Sequence, residues 1–276
     1  MQSKMEQRPN SGRISVVINT YNAERDLKQV LESVKKFDEI VVCDMESTDQ
    51  TIAIAKSYGC KIVTFPKANH MSAEPARTFA IQSASNEWVL VVDADEIITS
   101  ELHKYLYEYI GSDNHKCGLY IPRKNYIMGC FMKSSYPDYQ LRFFKREGTM
   151  WPPYVHTFPK VDGPTEKIPK GNQELAMIHL DNTTFERIKK LNEYTENEVE
   201  KRSNKHVSFM KMVCEPAFCF FKAYILKGGI RYGKIGLIQA THKAIYRFIV
   251  LQKILESQNK QKILCHFNEF CDKMTK

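Results

Sequence analysis

Trp88-Val89-Leu90-Val91-Val92-Asp93-Ala94-Asp95-Glu96 decides how this chain is read. Five large apolar residues follow one another without the alternation of a half-wet strand, so both faces of the segment are covered, as in a parallel sheet. Ligands bind such sheets outside the carboxyl ends of the strands, and this strand ends there in acid. Asp93 and Asp95 can share Mg²⁺ or Mn²⁺, hard cations that take oxygen ligands and accept one or two protein carboxylates beside substrate phosphates. A cation in that position would neutralise a departing diphosphate. The competing reading makes the acidic cluster a cap for the next helix, whose first turn favours negative charge. The buried strand ahead of it favours the site.

Upstream, Ile14 to Ile18 is a short β-branched strand, and Leu27, Val30, Leu31 and Val34 then keep the spacing of a helix with one buried face. Glu39 to Asp44 is a second strand. Ser47-Thr48-Asp49 supplies capping groups ahead of a helix from Gln50 to Tyr58, which Gly59 ends before a third strand, Lys61 to Phe65. Ser72 to Ala84 is helical, with Pro75 tolerated in the first turn. Thr99 or Ser100 caps a helix to Ile110. This alternation predicts an α/β fold, a mostly parallel sheet flanked by helices. It gathers Asn19-Thr20-Tyr21-Asn22, Asp44 and Asp93-Ala94-Asp95-Glu96 at one edge.

Beyond residue 111 the pattern changes. Cys117 to Pro122 and Tyr139 to Lys145 read as strands, Trp151 to Gly171 as an irregular lid or acceptor-facing loop, and Thr183 to Ser203 as a polar helix. From Ala217 to Leu255, aromatic and aliphatic residues mix with Lys and Arg, broken at Gly228-Gly229.

Three motifs in order carry a family resemblance: Ile18-Asn19-Thr20-Tyr21-Asn22-Ala23-Glu24, Val41-Val42-Cys43-Asp44-Met45-Glu46-Ser47-Thr48-Asp49-Gln50-Thr51, and Val91-Val92-Asp93-Ala94-Asp95-Glu96. Over residues 13 to 160 the chain resembles the family 2 glycosyltransferases, inverting nucleotide-sugar enzymes of GT-A fold. Pro122-Arg123, Gln140-x-Arg142 and Val155-His156 look most like the branch of lipopolysaccharide core glucosyltransferases. Asn19 stands where that family usually has Pro, and Met45-Glu46 where it usually has Asp or Ser then Gly.

The resemblance implies roles. Thr20, Tyr21 and Glu24 would line the nucleotide pocket and Asp44 would read the base, against a plain turn role, with Arg77 near the nucleotide, against a surface ion pair on an exposed helix. Asp93 would face the ribose or the metal, and Asp95 would bind the metal that bridges the diphosphate. Asp138, about 40 residues past the metal motif, would be the general base that takes the acceptor's proton, with Glu96 the second candidate and a turn role for Asp138 the rival. Arg142 would pair with the diphosphate. His156 would complete the metal shell or touch the acceptor, against a plain hydrogen-bonding role. Trp151 and Tyr154 suit stacking on a sugar and core packing equally. The expected cofactor is Mn²⁺ or Mg²⁺, the donor a nucleotide-diphosphate hexose, in the first instance UDP-linked, and the acceptor a glycan or glycolipid. A sugar nucleotidyltransferase would need a Gly-rich basic loop after the first strand, which Asn19 to Glu24 is not. A non-catalytic nucleotide-sugar or glycan-binding module is the third reading.

Composition sets the frame. Hydrophobic residues at 43% and charged residues at 26% of 276 exclude wholesale disorder and low complexity. No 18-residue stretch is free of charge, which argues against a spanning helix. Met1 to Arg13 is polar and reads as a short leader without a secretory signal. The eight cysteines form no Cys-x-x-Cys pair and read as reduced thiols. The net charge of +8 is one-sided: Lys201 to Lys276 holds 15 Lys/Arg against 4 Asp/Glu, the rest 25 against 28. That asymmetry favours an anionic membrane surface as partner of the tail over a helical hairpin packed on the catalytic domain with a solvated basic rim, with no nucleic-acid module in sight. The expected organisation is a leader over 1–12, a GT-A catalytic domain over 13–182 and a basic helical extension over 183–276. The catalytic domain would hold a nucleotide-binding half (13–110) and an acceptor half (111–182). The expected place is the cytoplasm, peripheral on the inner face of the plasma membrane.

Overall fold

The computed structural model describes residues 12–68, 70, 72–153, 157–181, 183–202 and 206–274. Tyr154, His156 and the leader up to Ser11 lie outside the described residues. The chain divides into two compact units between Asp181 and Asn182.

In the first unit β1 (Ile14–Thr20), β2 (Glu39–Asp44), β3 (Lys61–Thr64) and β4 (Trp88–Asp93) run parallel in the order β3-β2-β1-β4. Their unbroken apolar runs are explained by cover on both faces. Ile14, Val16, Ile18, Val42, Leu90 and Val92 pack with Leu27, Val30 and Leu31 of α1 (Glu24–Val34) and with Leu102 and Leu106 of α4 (Ser100–Ile110). The alternate residues Val17, Val41, Val89 and Val91 pack with Ala76, Ala80 and Ile81 of α3 (Glu74–Gln82). Fully burying one such aliphatic side chain stabilises by about 1.5–3 kcal/mol, so both layers contribute.

The acidic cluster is not a helix cap. Glu96–Ile97 is a short strand, β5, and α4 starts later, where the Thr99 hydroxyl accepts Leu102 N–H at 3.1 Å. The sheet then continues through antiparallel β8 (Asp138–Lys145) and β6 (Gly118–Ile127), β10 (Met177–His179) parallel to β6, and β5 at the edge. A hairpin strand β7 (Cys130–Phe131) and β9 (Thr165–Lys167) also pair with β6. Between Trp151 and Pro164 the described residues are irregular apart from an antiparallel bridge between Met150 and Lys160. The helix expected from Gln50 is α2 (Thr51–Ser57), held at its start by Asp49, whose Oδ1 accepts Thr51 N–H at 3.0 Å.

The second unit is helical: α5 (Thr184–Arg202), α6 (Phe209–Phe221) continued by a wide turn over Lys222–Leu226, a short turn over Gly229–Tyr232, and α7 (Gly233–Met274). Val207, Val250, Leu251 and Ile254 form its core. Gly228 adopts φ +71°, and a Cβ on Gly236 would lie 1.8 Å from the Gly229 carbonyl oxygen. Only glycine permits that turn and that approach. Cys43, Cys60, Cys117, Cys130, Cys214 and Cys219 are free thiols.

Candidate active site

Strand register brings the expected residues to one edge. Thr20 lies opposite Asp44, and Asn19 opposite Asp93. Neighbouring strands are about 4.8 Å apart, so the ends of β2 and β4, on either side of β1, stand about 10 Å from each other.

The loops after β1 and β2 are laced together. Asp44 is 2% exposed, and its carboxylate accepts the Thr20 hydroxyl at 2.8 Å, the Ser47 hydroxyl at 2.6 Å and Ser47 N–H at 2.8 Å. Asn22 N–H donates to the Ser47 hydroxyl and Asn22 Oδ1 accepts Thr48 N–H, each at 2.8 Å. Glu24 accepts Gln50 N–H at 2.9 Å. Thr20, Glu24 and three of the lone-pair positions of Asp44 are thus engaged within the protein. Tyr21 stays exposed, with the Lys67 ammonium 4.9 Å from its ring centroid. Glu46 explains the glycine usual at its position in the family: it adopts φ +62°, and its carboxylate accepts Lys67 N–H at 3.0 Å. The Asn19 carboxamide is buried, and neither its oxygen nor its nitrogen has a hydrogen-bond partner.

At the exit of β4, arginines and carboxylates interlock. Arg77 Nη2 of α3 donates to Asp93 Oδ1 at 2.8 Å, and Arg142 Nη2 of β8 donates to Asp93 Oδ2. Arg142 also reaches Glu96 Oε1 at 3.3 Å. Arg123 Nη1 of β6 donates to the same oxygen at 2.8 Å, and its Nε and Nη2 donate to Asp138 Oδ2 at 2.9 and 2.7 Å. The Arg77 and Arg142 guanidinium carbons lie 4.4 and 5.6 Å from the Trp151 ring centroid, a cation–π arrangement. The Thr78 hydroxyl pins Trp151, bonding its N–H and carbonyl at 2.9 Å each. Arg77 Nε and Nη1 and Arg142 Nε have no hydrogen-bond partner. These are buried donors of the kind an anion satisfies.

Burial pushes the carboxyl of Asp93 upward, but Arg142 and Arg77 outweigh it and hold it well below the usual carboxylate range. Asp138 follows the same pattern: burial raises it, Arg123 and hydrogen bonds from Asn125 and Gln140 lower it further, and it stays ionised. Glu96, expected as second candidate for the base, is fully buried. Its Oε1 takes two arginines and its Oε2 accepts Asp93 N–H at 3.0 Å. Both carboxylate oxygens of Glu96 are thus engaged within the protein.

Two site residues, Asn125 and His179, escaped the sequence. Asn125 donates Nδ2 to Asp138 Oδ2 at 2.9 Å, so its Oδ1 is the acceptor for His179 Nδ1, also at 2.9 Å. His179 therefore carries a proton on Nδ1 and turns Nε2 toward Asp95 Oδ2, 3.4 Å away. A ring nitrogen lone pair facing a carboxylate needs a proton or a cation between them. Among the described residues no group of three or more His, Cys, Asp or Glu could hold a metal ion. A single carboxylate with one imidazole nitrogen still fits Mn²⁺ or Mg²⁺ that draws its remaining ligands from a diphosphate and water. Both Asp93 oxygens are taken by arginines.

An open sheet, parallel on one side and extended by antiparallel strands on the other, with Asp93-Ala94-Asp95 at the carboxyl edge of β4, is the GT-A arrangement of nucleotide-sugar transferases. The model of the family Glycosyl transferase family 2 matches residues 15–159. The chain belongs to that family and is a glycosyltransferase. It is 27% identical to an uncharacterised glycosyltransferase of Rickettsia conorii over 265 residues, 91% of this chain and 92% of the relative. It is 26% identical over 255 residues to LpsC of Rhizobium meliloti, a lipopolysaccharide core biosynthesis glycosyltransferase, covering 88% and 92%. Among solved structures, residues 1–349 of Staphylococcus aureus TarS superpose with a TM-score of 0.47 at 14% identity, covering 84% of this chain and 90% of that one.

Proposed function

We propose that the enzyme moves a hexose from a nucleotide-diphosphate sugar, UDP-linked in the first instance, to a hydroxyl of a glycan or glycolipid in the synthesis of cell-surface polysaccharide or lipopolysaccharide, with inversion at the anomeric carbon. The observation that carries the reading is the pair of buried guanidiniums, Arg77 and Arg142, with unsatisfied donors beside Asp93 and Asp95 at the carboxyl edge. Arg77 and Arg142 would bind the diphosphate, and Asp93 would orient them and face the ribose. Tyr21 would cover the base, while Asp44 would offer it the one lone pair the loop leaves. Asn19, on the same face of the sheet as Asp93, would spend its carboxamide on the nucleotide.

Asp95 and His179 would hold Mn²⁺ or Mg²⁺, whose chemistry is to neutralise charge on the departing diphosphate. The acceptor oxygen attacks the anomeric carbon as the bond from that carbon to the diphosphate oxygen breaks, and the hydroxyl proton passes to a carboxylate. Asp138 is that base in this reading. It is ionised, oriented by Arg123, and its Oδ1 takes a bond from Gln140 at 2.9 Å. The basic second unit would attach the enzyme to an anionic membrane at the cytoplasmic face.

A melting panel of UDP-, GDP- and dTDP-hexoses with and without Mn²⁺ tests the donor assignment. A ligand at a hundred times its Kd stabilises the native state by about 2.7 kcal/mol. UDP-hexose with Mn²⁺ should raise the melting point most, and the rise should vanish in Asp95→Ala. No shift with any nucleotide sugar would refute the reading.

A further inference from the structure

An apolar amphipathic helix normally buries its apolar face. In α6 that face is outward. Met210, Val213, Phe218, Phe221 and Ile225 recur at helical spacing and are all exposed, Met210 at 64% and Phe218 at 58%. Ala217 fills the same stripe, and Leu226 and Ile230 extend it past the end of the helix. No residue of α6 is buried. Lys222, Lys227, Arg231 and Lys234, all exposed, crowd the C-terminal end of the stripe. From Pro216 to Leu255 the sequence contains no Asp or Glu and seven Lys or Arg. Single exposed apolar residues are ordinary, but a continuous stripe of this kind marks an interaction site.

We propose that this stripe is the membrane-binding element of the enzyme: α6 and the turn after it lie in the interface of an anionic bilayer. Their aromatic and aliphatic side chains enter the acyl boundary, and Lys222, Lys227, Arg231 and Lys234 rest on acidic lipid headgroups. The inference rests on the membrane attachment proposed above and names the surface that makes it. Charge selects the occupant. A second copy of the chain would bring two net-basic segments together, with Glu215 the one acidic residue from Phe209 to Leu255, whereas a bilayer containing acidic lipid supplies the missing negative charge. No helix among the described residues is long and apolar enough to cross a membrane. An enzyme held this way would meet an acceptor anchored in the same leaflet.

The test is flotation of the full chain with vesicles of phosphatidylcholine alone or mixed with phosphatidylglycerol. The expected result is binding to the acidic vesicles that weakens as salt rises, with at least a tenfold loss in F218E/F221E and in K227E/R231E. The conservative variant Phe218→Trp, which preserves the packing, should show emission shifted to the blue by acidic vesicles and quenched by brominated lipid. Nucleotide release from UDP-hexose in vesicle-free buffer should be unchanged in all three variants, which separates failure here from failure of the donor site. Absence of vesicle binding would overturn the proposal, as would equal binding to neutral vesicles. Fluorescence of the Phe218→Trp variant indifferent to lipid, or a solution dimer dispersed by F218E/F221E, would overturn it too.

Discussion

Glu96→Gln probes the buried centre of the arginine network. The wild-type carboxylate holds Arg123 at 2.8 Å, Arg142 at 3.3 Å and the Asp93 amide at 3.0 Å. Glutamine keeps the shape but removes the charge, and its new N–H₂ must face either an amide N–H or a guanidinium, donor against donor. Removing the sole partner of a buried charge costs about 3–5 kcal/mol. Here Arg142 retains Asp93 and Arg123 retains Asp138. The loss is closer to one hydrogen bond to a charged group plus a misplaced donor, about 2–3 kcal/mol. Screening offsets little of it, since the Arg142 side chain is 4% exposed and the glutamate not at all. At about 2–4 °C per kcal/mol for a unit of this size, the melting point should fall by about 4–12 °C. Both tryptophans, Trp88 and Trp151, lie in the catalytic unit, so fluorescence melting reads that unit directly. An unchanged melting point with abolished turnover would make Glu96 the catalytic base and refute the reasoning.

Three further outcomes follow from the same geometry. Asp138→Asn should lower kcat by about 10²–10⁴-fold, the usual worth of a general base, while the Kd for UDP-hexose from calorimetry stays within twofold. An equal loss in affinity would assign Asp138 to structure instead. Asp93 and Asp138 have folded pKa values below the ordinary 3.8, so their contribution to stability is complete above that value and drains away as pH falls below it. Denaturant midpoints measured from pH 6 to pH 2.5 should show a steep loss below about pH 4 that Asp138→Asn blunts; a loss already finished at pH 5 would contradict the direction. Asn19→Ala removes a carboxamide that bonds nothing in the unliganded chain, so stability should hold or rise. Its Kd for UDP-hexose should weaken by about tenfold, equivalent to about 1.4 kcal/mol, and an unchanged Kd would remove Asn19 from the nucleotide site.

Much of the parallel half was legible because its evidence is local. Leu27, Val30, Leu31 and Val34 announce the buried face of α1, and Trp88 to Val92 announce a strand covered on both faces. The Thr99 cap is written in adjacent residues. The other half is built from contacts that no local pattern carries. β5 has two residues and β10 three, too short for any periodicity, yet their pairing decides that His179 stands opposite Glu96 in register and turns to Asp95. Arg123 could be read as part of a motif, but its choice of Glu96 and Asp138 depends on β6 lying between β8 and β10. Ser47-Thr48-Asp49 illustrates a competition: the Ser47 hydroxyl and amide bond Asp44, and the Asp49 carboxylate holds the start of α2. Of the carboxylates singled out at the edge, Asp44 and Glu96 are largely spent within the protein, and only their three-dimensional partners reveal it.

The central claim is that Asp95 and the neighbouring arginines hold the diphosphate of a nucleotide sugar during transfer. Release of free UDP from UDP-hexose, in the presence of acceptor-bearing membranes and Mn²⁺, tests it most directly when wild type is compared with Asp95→Ala. Wild type should release UDP, chelation should suppress that release, and Asp95→Ala should cut it at least a hundredfold while its fold, by melting, is intact. Equal UDP release from the two proteins would contradict the claim.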